Sequence, residues 1–290
     1  MSPTVTDAAS LKRALADAKA GTVIVLAPGA YTGNFVASGS GTATAPITLC
    51  GPRSAVLDGG SVDSGYTLYL SSANWWRVHG FTVQRGQKGV VLDQSQHDVI
   101  AGLAVQTIGD EAVHLRKFSS YNVVRDNVIS GTGRHQAKFG EGVYVGSAQK
   151  NWCTYTKCAP DRSDHNAIQA NVISNTTAEN VDVKEGTTGG QILDNQFSGV
   201  GMVATTAWVN VKGNHWTIQA NAGTTSPGDG FQVHRVYPGW GENNSFQANH
   251  ADVAGPGWGY YVQDASLGNL ISCTNTATGA ASGLSNVPCT

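Results

Sequence analysis

Residues 141–146, EGVYVG, return at 179–184 as ENVDVK, at 207–212 as AWVNVK and at 229–234 as DGFQVH. The series extends backwards to KGVVLD (88–93) and EAVHLR (111–116) and forwards to WGYYVQ (258–263), with starts separated by 23, 30, 38, 28, 22 and 29 residues. The third and fifth positions are apolar in every copy, as in Val143 and Val145 or Val181 and Val183, while the fourth and sixth are mostly polar. Period-two alternation of this kind marks a short strand with one face in a core. Further short strands lie between the copies, among them NVVRDNVIS from Asn122 and NAIQANVIS from Asn166. Their Asn and Gly at fixed offsets suit left-handed corners. Short strands and such corners in a coil of roughly 22 residues are the unit of a right-handed parallel β-helix. An ordinary α/β domain would need helices in the same intervals, and the sequence holds none there.

The chain therefore reads as one all-β solenoid domain over residues 1–290. A short amphipathic helix at about 8–20, capped by Asp7 and ended by Gly21, would plug the first coil with Leu11, Ala14, Leu15 and Ala18. Residues 147–165 form a loop insertion, and insertions on one side of a solenoid border its working face. Residues 264–290 read as a C-terminal tail.

Forty per cent apolar residues over 290 positions exclude a disordered chain. No apolar run reaches the roughly 18 residues of a membrane span, and a net charge of −2 argues against nucleic acid as a partner. Cys153 and Cys158 sit in one polar stretch, Cys273 and Cys289 can staple the tail, and Cys50 is left odd as a free thiol. Two local disulfides point to a secreted protein, whose leader would not be in the opening MSPTVTDAAS. A capped solenoid of this size can be a monomer.

Equivalent strands of a parallel β-helix stack about 4.8 Å apart, so equal positions form columns. The sixth-position column runs Asp93, Arg116, Gly146, Lys184, Lys212 and His234, and the fourth runs Val91, His114, Tyr144, Asp182, Asn210 and Gln232. Both are expected to point to solvent, with a basic strip at their centre. The first-position column holds Lys88, Glu111, Glu141, Glu179 and Asp229. Strict alternation would turn it inward, although it falls at the corner where alternation breaks. Its stacked carboxylates suit Ca²⁺, or else pair with Lys and Arg on neighbouring coils. Lys184 and Lys212 on adjacent coils would lower each other's proton affinity and make Lys184 a general base near neutral pH. The other reading keeps both lysines charged beside Asp182, Glu179 and Glu185, binding an anion only. His114, Arg116, Tyr144 and His234 flank this centre as a ligand groove, and Trp152, Tyr237, Trp240, Trp258 and Tyr261 are candidates to stack on sugar rings.

At ENVDVKEG (179–186) the sequence resembles the β-helical polysaccharide lyases of families six and nine, which include alginate, chondroitin B and some pectate lyases. Glu179, Val181 and Lys184 fall on the family-six pattern ExIxxK, an acidic calcium ligand followed five residues later by the lysine base. In the family-nine pattern Glu179 would stand for an Asp. The run LKRALADAKAGTVIVLAPGAYTGNF (11–35) followed by PITLCG (46–51) looks like the opening coil of such lyases. The chain departs from family six in carrying Lys212 where an Arg acid is expected and Glu185 where a Ser follows the lysine. It has no counterpart of the family-nine aspartate cluster.

The resemblance implies a secreted lyase acting on a uronate polymer, an acidic polysaccharide. Lys184 would remove the C5 proton, and Lys212, Tyr144 or His234 would protonate the leaving oxygen. Ca²⁺ on Glu141, Glu179 and Asp182 would neutralise the carboxylate, while His114, Arg116, Asn210, Gln232 and Asp182 bind substrate. Two alternatives stay open. A glycoside hydrolase could pair Asp182 with Glu141 or Asp229 across roughly 5–9.5 Å, and a non-catalytic carbohydrate-binding protein would use the same strip.

Overall fold

The computed structural model describes residues 4–290, so the first three positions of the domain expected over 1–290 lie outside the described residues. The chain winds as a right-handed parallel β-helix whose coils build three parallel sheets of 11, 10 and 10 strands. One of these, called the site sheet below, carries the repeated hexapeptides. Its strands include Lys88–Asp93, Val113–Arg116, Val143–Val145, Val181–Val183 and Val209–Val211. They stack in the register expected from the repeat, Tyr144 between His114 and Asp182, and Asp182 between Tyr144 and Asn210. Strands Phe35–Ala37, Tyr66–Ser71 and Gly283–Ser285 extend the same sheet beyond the seven copies. Tyr66–Ser71 carries the same alternation, with Leu68 and Leu70 buried in register with Val90 and Leu92, and is an eighth copy that the sequence reading passed over.

Third- and fifth-position side chains fill the coil interior, with Val143, Val145, Val181, Val183, Val209 and Val211 fully buried. The second position turns inward as well. A Cβ at Gly142 would sit 2.6 Å from the Asn180 carbonyl oxygen, and one at Gly89 2.4 Å from that of Ala112. Two consecutive inward residues at this corner swing the first position outward. The column of acids thus joins the outer face, against strict alternation.

The corners are built differently from the expectation. Gly102, Asn175 and Asn243 are left-handed as expected, but at the corner that recurs most regularly the left-handed residues are Asp126, Ala170, Asp194, Ala220 and Ala248, with φ between 51° and 56°. The Asn after each of them is buried instead, and Asn127, Asn171, Asn195, Asn221 and Asn249 form a ladder that ends on Asn275. Each side chain in it donates to the next Oδ1 at 2.9–3.0 Å, and each Oδ1 also accepts the backbone N–H of the preceding rung. Interior polar backbone that would otherwise be orphaned is satisfied this way, a cost of about 1–3 kcal/mol per group avoided.

The N-terminal helix is Ala8–Ala16, shorter than expected, with Asp7 as N-cap accepting the Ser10 N–H at 2.7 Å and Leu11 and Leu15 buried on the first coil. Residues 264–290 are more than a tail: Leu270–Ile271, Thr276–Ala280 and Gly283–Ser285 add one strand to each sheet. Disulfides join Cys153 to Cys158 and Cys273 to Cys289, while Cys50 is free and half-buried. Among the described residues no helix is long and apolar enough to cross a membrane.

Candidate active site

A cavity of about 550 Å³ opens on the outer face of the site sheet. Its floor comes from five successive coils: Tyr66, Lys88, then Glu111, His114 and Arg116, then Glu141 and Tyr144, then Lys184. Two loops wall it. One, residues 131–140, supplies Lys138 and Phe139. The other, from the expected insertion at 147–165, supplies Ser147, Ala148, Lys150, Asn151 and Tyr155. The floor residues point out of the coil, yet the expectation that they meet solvent does not hold. His114, Arg116, Glu111 and Glu141 are 3–5% exposed, because the loops cover them.

Burial forces these charges to find partners. Arg116 Nε lies 2.6 Å from Asp93 Oδ1, and its guanidinium sits between the Tyr66 and Tyr155 rings at 5.4 and 4.7 Å. Lys117 reaches the same Asp93 at 2.9 Å. Lys88 pairs with Glu111. His114 Nε2 is 3.0 Å from the Gly146 carbonyl and Nδ1 is 3.3 Å from Glu111 Oε1. Burial pushes the imidazole pKa down and keeps it neutral, so it donates through one nitrogen at a time.

Lys184 and Lys212 share one carboxylate. Lys184 Nζ lies 2.7 Å from Asp182 Oδ2, and Lys212 binds Asp182 Oδ1. The expected depression of the Lys184 pKa is reversed. Burial alone would lower it, but the Asp182 carboxylate more than offsets this, and the ammonium is held well above the usual lysine range. The carboxylate shared by the two ammonium groups offsets the repulsion expected between them. Asp182 in turn is kept ionised, since the two ammonium groups outweigh its burial.

Tyr144 is fixed by its neighbours, the His114 ring edge-on at 4.5 Å and the Lys184 ammonium 5.0 Å from its ring centre. Burial raises its phenol well above the ordinary value, with Lys184 opposing. Glu141 has no cation of its own, and its Oε2 is buried without a hydrogen-bond partner. Burial and then the charges of Glu111, Asp182 and Glu179 raise its pKa well above the carboxylate range.

The expected strip is thus divided. Lys184, Tyr144, His114, Arg116 and Glu141 meet in the cavity. Lys212, Asn210, His234, Gln232, Asp182 and Glu179 do not line it. Lys212, Asn210, His234, Asp182 and Glu179 are linked to one another beside it, and Gln232 is bonded elsewhere. Asn210 donates to Glu179 at 3.2 Å and lies 2.9 Å from His234 Nδ1, and Gln232 is tied to Asp229 at 2.7 Å. Burial and Lys212 lower the His234 pKa. Of the aromatics expected to stack on sugars, Trp152 is buried and donates to the Ser147 carbonyl at 2.9 Å, with Tyr237 edge-on to it at 5.4 Å. The cavity's aromatic side chains are instead Tyr66, Phe139, Tyr144 and Tyr155. Tyr155 could have been found from its place between Cys153 and Cys158; Lys138 and Phe139 carried no signal beyond the long interval they occupy.

Ligand oxygens of Glu141, Glu179 and Asp182 lie within 4.8 Å of one another, a spacing at which a metal ion could be held. As a hydrolase pair, Asp182 with Glu141 has the wrong state: both Asp182 oxygens are engaged by lysines. Asp229 is likewise occupied, accepting from Gln232 and from the Trp258 N–H at 2.6 Å.

The fold and site define a three-sheeted right-handed parallel β-helix with a charged, loop-walled cavity on one sheet. This chain belongs to the β-helical polysaccharide lyases and is a polysaccharide lyase. It is 35% identical to an alginate lyase from Paenibacillus sp. str. FPU-7, with a TM-score of 0.90 over 98% of this chain and 97% of that one. Pectate lyase Pel9A shares the fold at 16% identity and a TM-score of 0.60, over 96% of this chain and 75% of that one. So does the catalytic unit of an α-1,3-glucanase from Streptomyces thermodiastaticus, at 14% identity and a TM-score of 0.50, over 97% and 66% of the two chains. No protein-family model matches the chain, and no curated protein sequence matches it.

Proposed function

We propose that the chain cleaves a uronate-containing polysaccharide by β-elimination, with Tyr144 moving the proton and Lys184 supplying the positive charge. The observation that carries this reading is the state of the Tyr144 hydroxyl. It lines the cavity, its ring is held from two sides, and among the described residues it makes no hydrogen bond. Lys184, in contrast, is committed to Asp182 and holds its proton tightly. The base therefore moves from Lys184, where the family pattern put it, to the neighbouring phenol.

The Tyr144 phenolate, stabilised by the adjacent ammonium, takes the proton from C5. The electron pair forms the C4–C5 double bond as the C4–oxygen bond breaks. The departing oxygen takes the proton from the newly formed Tyr144 hydroxyl, which returns to phenolate. Lys184 faces the negative charge that gathers on the uronate carboxylate during proton removal, in a buried setting where such pairing is strong. His114 positions the Tyr144 ring.

Calcium is the other source of positive charge the fold suggests. The donor set is too occupied for it: both Asp182 oxygens carry ammonium groups, Glu179 Oε1 accepts from Asn210, and Ca²⁺ takes six to eight oxygens. The lysines fill that role, and no step passes through a metal. Two disulfides support an extracellular setting. The similarity to the Paenibacillus enzyme makes alginate the first polymer to try.

The test is ultraviolet absorbance of unsaturated product from a panel of polyuronates, with and without chelator. Wild type is expected to form chromophore at a rate chelator leaves unchanged. Tyr144→Phe is expected to lose about 10²–10⁴-fold in kcat with an unaltered circular dichroism spectrum. New reducing ends without chromophore would point to hydrolysis and sink the reading.

A further inference from the structure

We propose that Lys138 and Lys150, set on opposite loops around the cavity, are the residues that hold carboxylates of the incoming polymer and make the enzyme selective for polyanions. This rests on the lyase reading above and names the groups that would recognise its substrate.

The cations of the floor are already answered from within the protein. Lys88 is paired with Glu111, Arg116 and Lys117 with Asp93, and Lys184 and Lys212 with Asp182. A resting substrate carboxylate approaching any of these competes with a buried acid that cannot leave, and Lys184 answers only the extra charge that develops during proton removal. Lys138 and Lys150 are the cavity's remaining cations; both are exposed, and among the described residues neither has an ion-pair partner. Their charge is the part of the cavity's field available to a ligand.

Both lysines are mounted on anchored backbone, unlike ordinary surface lysines. In the first loop, Thr132 Oγ1 donates to the Gly140 carbonyl at 2.5 Å and Thr177 Oγ1 to the Ala137 carbonyl at 2.7 Å, either side of Lys138. The Lys138 ammonium rests over the Phe139 ring at 4.8 Å. In the second, the Gln149 N–H donates to Glu185 Oε1 at 2.6 Å, next to Lys150, and the Cys153–Cys158 disulfide closes the loop beyond it. Anchoring lowers the ordering cost of binding. One lysine stands on each wall, so a chain lying along the floor would pass between them. Because both are exposed, their effect is screened by salt and falls on binding more than on the chemical step.

The experiment compares wild type with Lys138→Gln, Lys150→Gln and the double variant on a polyuronate over a range of NaCl concentrations. Each single change is expected to raise KM roughly two- to fivefold, the size of an exposed ion pair, and the double change to combine them. kcat should stay within about twofold, and the salt dependence of KM should flatten in the double variant. Lys138→Arg with Lys150→Arg should keep wild-type KM. A double Gln variant with wild-type KM and salt dependence, in an enzyme that still forms unsaturated product, overturns this assignment alone. Absence of unsaturated product from wild type on every polyuronate overturns the lyase reading and this one with it.

Discussion

Tyr144 and Lys184 both hold their protons more tightly than the free side chains do, Tyr144 through burial and Lys184 through Asp182. Catalysis needs the pair to have lost one proton, and that form becomes commoner as pH rises towards the raised values. kcat/KM is therefore expected to climb by up to about tenfold per pH unit from neutrality into the alkaline range. If the two groups titrate as a coupled pair, the first of their two apparent ionisations belongs to the pair and governs the rise. A pH–rate profile of wild type checks this, and a maximum in the acid range would contradict it. Lys184→Gln removes the charge that favours the phenolate, so its profile should move to higher pH with kcat lower by roughly 10²-fold. At this scale the sequence already identified Lys184, Tyr144, His114, Arg116 and Glu141 by their places in the columns. Their protonation was not legible, because it depends on which acid lies within 3 Å of which base.

The coil is the next scale, and its corners show how polar residues can be a structural necessity inside a solenoid. A second corner carries a shorter ladder, in which Asp98 N–H donates to Asn122 Oδ1 and Asn122 N–H to Asn166 Oδ1, each at 2.9 Å. Asp98 takes the place of an Asn in it. Its Oδ1 accepts the Trp76 N–H at 2.7 Å, but its Oδ2 is buried without a partner, and burial pushes the carboxyl up to about 8. The unfolded chain ionises near 3.8. Between those values the native state binds a proton that the unfolded state has lost, so stability falls as pH rises, by up to about 1.4 kcal/mol per unit, and levels off above the native value. Asp98→Asn supplies a donor where Asn122 donates to the Ser95 carbonyl one rung on, and should abolish that slope. Denaturant melts of both proteins at about pH 5 and pH 8.5 measure it: the variant's advantage must grow with pH. The repeated Asn were visible in the sequence, although the left-handed corners first assigned to them belong to the residues just before, such as Ala170 and Ala220.

Over the whole molecule, each coil touches only its neighbours, so stability is close to a sum of local terms. The last coil has a neighbour on one side only, and the Cys273–Cys289 disulfide closes it across 16 residues. Replacing both cysteines with Ser should cost about 3 kcal/mol on the chain-entropy account. The loss should appear as fraying of the C-terminal coil in hydrogen exchange. It should leave kcat unchanged, since the cavity is formed by coils from Tyr66 to Lys184. A fall in kcat as large as the fall in stability would show that the coils are coupled more widely than neighbour contacts allow.

Alternating apolar residues at recurring intervals were enough, without coordinates, to specify the solenoid, the register of its rungs and the side chains that share its outer face. That follows because a strand's period is geometric, and identical rungs stack only one way when their inner face must be buried. The loops at 131–140 and 147–165 obey no such repeat, and they decide what the outer face becomes. By covering it they turn an exposed basic strip into a cavity, pair its buried cations with buried acids, and leave the Tyr144 hydroxyl uncommitted. Burial and ion pairing are properties of atoms gathered from distant coils, so they are settled only once the chain is wound.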